Sequence, residues 1–211
     1  MFEQGERLFL IGGASGVGKS MLAEAITNQK LAVYKKIHSF APDIAKDKNC
    51  ELKTVFDTDF FVPETINRMV VFVKKYQFVV SDLHYAIQPK ADTAFFLEGE
   101  ASKDILLAEK YRAAFAPENL KVFKNNHIDL VPILITCGVD QLVQRKAQIV
   151  ERPIKGGSDK KIAQKELSAE FSVYKNIIKQ LDLTPYIFTN SKKEPTEFHK
   201  EVIGLLFKTP T

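Results

Sequence analysis

Short apolar runs alternate along the chain with stretches whose apolar residues recur every three or four positions. "LFLIG" (8–12), "LAVYKKI" (31–37), "FVVSD" (78–82), "VPILIT" (131–136) and "PYIFT" (185–189) have the length and near-continuous apolarity of buried strands. Residues 18–29 place Met21, Leu22, Ala25 and Ile26 on one helical face. Residues 63–76 open with Pro63 and Glu64, a favoured helix start, and align Ile66, Met69, Val70 and Val73. After the fourth run comes a long helical segment. Ser158 and Asp159 stand where caps belong, and Ala163, Leu167, Phe171, Tyr174, Ile178 and Leu181 continue the stripe for roughly 35 Å. Strands separated by helices predict a three-layer α/β/α architecture around a five-stranded parallel sheet, covered on both faces.

Composition changes this picture little. The 211 residues suit a single domain (1–211), and 45% apolar content is ordinary for a globular chain. A net charge of +4, dispersed along the sequence, suits a polyanionic small molecule and falls short of a nucleic-acid footprint. Cys50 and Cys137 have neither metal-site nor redox spacing, which fits a reducing cytoplasm. No basic start precedes a long apolar stretch and no run reaches about 18 apolar residues, so neither a signal peptide nor a membrane span is expected.

The chemistry starts at "GGASGVGKS" (12–20), which meets the pattern G-x-x-x-x-G-K-S/T between a strand and a helix. Gly13, Ala14, Ser15, Gly16, Val17 and Gly18 would turn backbone N–H groups around an anion, and the helix that follows adds its positive end. Lys19 would reach the β- and γ-phosphates of ATP, and the Ser20 hydroxyl would take a place on Mg²⁺. Asp82 closes the third apolar run, at the sheet end where open α/β folds bind ligands, and could hold Mg²⁺ through water or orient a nucleophile. The pair Asp57 and Asp59 reads as a solvated turn. It resembles the acidic signature of shikimate kinases but lies too far beyond Lys19 for that family.

Only five arginines occur, and Arg145 and Arg152 both fall just after the fourth strand, ahead of Lys155 and a Gly-Gly hinge. Arginine is the side chain best suited to grip phosphate, so the stretch 145–160 reads as a short lid that closes on the transferring phosphoryl group. A GTPase reading fails: "LHY" follows Asp82 where D-x-x-G is needed, and "TNSKKE" does not match the guanine signature.

The ordered set resembles the adenylate-kinase family of P-loop kinases, in particular its archaeal type and related ATPases. "LIGGASGVGKS" is like the first strand and loop, and "KKIHSFAPDIAKD", with Ser39 and Phe40, is like the nucleoside-monophosphate site. "VVSDLHYAI" is similar to the family's D-x-H strand, with Asp82 and His84. "LVQRKAQIVERP" is similar to the lid start, and "YIFTNSKKE" to the loop near Asn190 on which adenine rests. The resemblance implies catalysis by Lys19, Arg145, Arg152 and Asp82, acceptor contacts by Ser39, Phe40 and His84, and transfer of the ATP γ-phosphoryl group to a small acceptor, usually AMP. It also departs from the family, since no arginine follows the second strand or the acidic strand; Lys46, Lys90 or Arg68 would have to substitute. The stretch 88–126 is long for this position and suggests an acceptor-side insertion. Because related ATPases serve ribosome assembly, a nucleotide-dependent assembly factor with a macromolecular partner is the competing class.

Overall fold

The computed structural model describes residues 5–51, 61–82, 116–149, 157–191 and 194–207. Five strands form one all-parallel sheet: β1 (Arg7–Gly12), β2 (Val33–Tyr34), β3 (Phe78–Asp82), β4 (Asp129–Thr136) and β5 (Tyr186–Thr189), in the order β2-β3-β1-β4-β5. The helices are α1 (Lys19–Asn28), α2 (Ala41–Asp47), α3 (Phe61–Tyr76), α4 (Pro117–Asn125), α5 (Val139–Ile149), α6 (Gly157–Leu181) and α7 (Pro195–Leu206). The predicted three-layer parallel architecture is therefore the observed one.

Alternation along each strand divides the core. Leu8, Leu10, Val79, Leu130 and Leu134 face α2, α3, α4 and the C-terminal half of α6, while Phe9, Ile11, Val80, Ile133 and Ile135 face α1, α5 and α7. Both faces are dry, which is why these strands read as continuous apolar runs. β1 is the central strand, paired with β3 on one side and β4 on the other. The chain thus leaves β1 in one direction for β2 and β3 and later returns on its other side. That reversal opens a crevice at the carboxyl ends of β1 and β3, where Gly12 and Asp82 lie.

Two local expectations are corrected. "LAVYKKI" is a strand for only Val33 and Tyr34; a 3-10 turn at Ile37–Phe40 follows. The Ser39 hydroxyl donates to the Lys36 carbonyl at 2.6 Å, and the Ser39 N–H donates to the same group, so the backbone turns away from β3. In α6, Ser158 and Asp159 lie inside the first turn of a helix that starts at Gly157, so they do not cap it. The α6 stripe is otherwise as expected except at Phe171, which is 39% exposed, while Glu166 and Glu170 are buried in its place. Their partners, described below, explain the exchange.

Helix α6 also ties the sheet edge together. The buried Tyr174 hydroxyl accepts the Tyr186 N–H at 2.7 Å and lies within donor distance of the carbonyls of Pro132 and Tyr186. Burial pushes its pKa up to about 12. Tyr174→Phe leaves a Tyr186 N–H at the start of β5 without its acceptor and is expected to destabilise the protein by about 2 kcal/mol. Equilibrium denaturation in urea would check this.

Candidate nucleotide site

The loop between β1 and α1 takes its shape from glycine. Gly13 (φ 140), Gly16 (φ 88) and Gly18 (φ 101) all have positive φ, and Gly18 is the residue preceding α1. No side chain caps α1, and its first turn carries no acidic residue. A helix of ten residues therefore presents unpaired N–H groups and the positive end of its dipole to the loop, an arrangement that favours an anion.

Lys19, in the first turn of α1, is buried beneath the loop. Its Nζ donates to the carbonyls of Gly13 at 2.8 Å and Ala14 at 3.0 Å. Burial lowers its pKa to about 8, against the opposing charges of Glu170, Asp82 and Glu166. An ammonium held in this way, poorly solvated and bonded only to neutral carbonyls, is matched to a multiply charged anion.

Ser20 and Asp82 meet across the crevice, as sequence position suggested. The Ser20 hydroxyl donates to Asp82 Oδ2 at 2.5 Å. Sequence reasoning missed the third member: the Tyr34 hydroxyl donates to Asp82 Oδ1 at 2.6 Å. Burial works to raise the Asp82 pKa, but the two hydroxyls and the charges of Lys36 and Lys19 outweigh it, and the net shift is downward. Desolvation and the Asp82 contact push the Tyr34 phenol upward, so it stays a donor. Asp82 is thus a fixed carboxylate at neutral pH. Tyr34→Phe removes one of its two charge-assisted hydrogen bonds and is expected to raise the Asp82 pKa with the fold intact. An NMR titration of the carboxylate beside a thermal melt would check both.

On the other side of the loop, Asn190 fastens β5 to the cradle. Its Nδ2 donates to the Val17 carbonyl at 2.8 Å and its N–H to Thr136 at 2.8 Å. Arg145 Nη2 donates to the Asn190 carbonyl at 3.2 Å and to Oδ1 at 3.3 Å, and its buried Nη1 has no hydrogen-bond partner among the described residues. Asn190, expected to lie against adenine, has its side-chain amide engaged by the loop and by Arg145.

Three further charged residues, all missed in the sequence, surround the loop. Lys146, next to Arg145 on α5, forms a buried ion pair with Glu166 of α6, whose other oxygen accepts the Ser15 N–H at 2.9 Å. Glu170, 1% exposed, lies one turn further and acts electrostatically on Lys19. Spacing alone could have found the glutamates, since they fall three and seven residues after Ala163 on the buried face.

The remaining expected residues fare differently. Phe40 packs into the core, its ring 6.1 Å from that of Phe72, and Ser39 bonds to the local backbone. Arg68 is committed to Asp47 and Glu64 and is not a spare acceptor cation. His84, Arg152, Lys90, Lys155, Asp57 and Asp59 lie outside the described residues, as does 88–115 of the expected 88–126 insertion. Of the expected lid, 145–149 belong to α5 and 157–160 to α6. Among the described residues no three His, Cys, Asp or Glu side chains gather as a metal site, and no helix is long and apolar enough to cross a membrane.

No protein-family model matches the sequence, and no curated protein sequence matches it either. Solved structures do. A shikimate kinase from Bacteroides thetaiotaomicron superposes with a TM-score of 0.51 at 16% identity, covering 95% of this chain and 98% of its own. A protein from Chloroflexus aurantiacus, named only as a kinase, gives a TM-score of 0.51 at 11% identity over 97% of each chain. The chain shares its fold with these two proteins. At such identity the likeness fixes architecture, and what the site does must be argued from its own residues.

Proposed function

We propose that this chain is an ATP-dependent kinase of the adenylate-kinase-like type, moving the γ-phosphoryl group to a nucleoside monophosphate or similar small molecule. The observation that carries the reading is the convergence of a buried Lys19, an uncapped α1 and the Ser20–Asp82 pair on one glycine-shaped loop. In this reading Lys19 exchanges its two carbonyl partners for phosphate oxygens, and Arg145 offers the unpartnered Nη1 to the transferring group. Phosphoryl transfer asks for positioning and charge stabilisation, and these groups can supply both.

Ser20 and Asp82 also fit Mg²⁺. They are adjacent hard oxygen donors, and that ion is held by one or two carboxylate or hydroxyl oxygens together with phosphates and water. When bound, it would offset the negative charge of the phosphates. On the acceptor side, Lys36 stands beside the Tyr34 ring and acts on Asp82, so it is a candidate replacement for the absent arginines. We further propose that Arg152 and the rest of 145–160 close over the reaction and that His84 contacts the acceptor.

A coupled assay of ADP release, run over the common nucleoside monophosphates with shikimate included, tests this reading. Transfer to at least one acceptor is expected. Slow ATP hydrolysis with transfer to none of them would reject the small-molecule kinase and favour an ATP-dependent switch or assembly factor.

A further inference from the structure

Glu166 presents an anion of the chain's own to a loop built for anions. Its Oε1 accepts the Ser15 N–H at 2.9 Å and its Oε2 is paired with Lys146. Both side chains are buried, and burying an ion pair is costly unless its geometry is good, so fold stability alone is a weak reason to keep one here. A carboxylate and a phosphate oxygen are alternative acceptors for the same N–H and the same ammonium. They cannot share them in a poorly solvated site without strong like-charge repulsion. Lys19 shows a parallel arrangement, with its ammonium turned onto the carbonyls of Gly13 and Ala14.

Resting on the nucleotide reading above, we propose that Glu166 is an internal competitor for the phosphate cradle. In the empty site its carboxylate holds the Ser15 amide and Lys146; a bound triphosphate takes over both. Affinity for nucleotide is therefore set partly from α6, by a residue that does not itself touch the nucleotide. Lys146 becomes an additional cation for the phosphates, delivered only when Glu166 lets go. The neighbouring Glu170 raises the negative field at Lys19 and reinforces the competition.

The test measures equilibrium binding of a non-hydrolysable ATP analogue with Mg²⁺ to the full chain, beside thermal unfolding without ligand. Wild type, Glu166→Gln and Glu166→Asp are compared. Glu166→Gln removes the charge and keeps a single acceptor oxygen, so it can accept from Ser15 or from Lys146 but not from both. It is expected to melt earlier when empty yet bind the analogue about tenfold tighter. Glu166→Asp keeps the charge but is one methylene too short to span both partners, and it should shift both readings in the same directions. It also serves if the glutamine variant fails to fold. A carboxylate that merely scaffolds the loop would lower melting and affinity together, and unchanged or weaker binding in the folded variants overturns the proposal. Failure of the analogue to bind wild type and variants alike would instead overturn the nucleotide reading on which it rests.

Discussion

Lys19→Met is expected to cut phosphoryl transfer by about a hundred- to a thousandfold, the usual scale for removing a preorganised donor from a transition state's charge. The side chain is buried, points into the loop, and has no charged hydrogen-bonding partner of its own there. Its pH behaviour supplies a signature a generic lysine lacks. The unfolded side chain titrates near 10.5 and the folded one near 8, so between these values the unfolded state binds more protons. Stability must then rise with pH across that window, by about 3 kcal/mol from this group, and the rise should vanish in Lys19→Met. Nucleotide binding runs the other way. An anion restores the lysine's charge, so affinity should fall as pH climbs above about 8, where the empty protein has shed that proton. Urea melts and nucleotide titrations at several pH values would read both slopes.

Gly13→Ala is expected to destabilise the fold by about 4 kcal/mol, among the largest effects a single methyl group can have. Gly13 has φ 140, and a Cβ built there would lie 2.2 Å from the Ile135 carbonyl oxygen. That oxygen belongs to β4, whose Leu134 is in register with Gly12 and whose Ile135 is in register with Phe188, so it cannot retreat without disturbing the sheet. Strain and clash therefore add. For a chain of this length the melting temperature should drop by about 10 °C. Gly204→Ala is the control: nothing lies within 4 Å of its Cβ, it sits inside α7, and alanine there should be neutral or mildly stabilising.

The five strands, the loop and the Ser20–Asp82 pair were legible because each has a local signature: a dry sheet writes continuous apolar runs, and a phosphate cradle demands glycine and a fixed Lys-Ser step. The rest of the site depends on contacts between distant segments. Tyr34 reads as one more residue of an apolar run until β2 is seen to lie beside β3, which carries its hydroxyl to Asp82. Glu166 and Glu170 fall on the buried face by spacing from Ala163, but a stripe read from apolar residues alone passes over them to Phe171. Charge partners on α1 and α5 override the hydrophobic stripe, and only the tertiary fold brings those partners near. β2 is shorter for a local reason: Lys35 and Lys36 end the apolar run, and a serine-locked turn follows at once.

Whether the cradle hands a γ-phosphoryl group to a small molecule, as proposed, can be followed with γ-labelled ATP, wild type, Lys19→Met and a panel of small acceptors. Label should reach an acceptor with wild type, and that signal should fall about a hundredfold or more in the variant. Label released only as inorganic phosphate, or transfer undiminished in Lys19→Met, would overturn the proposal.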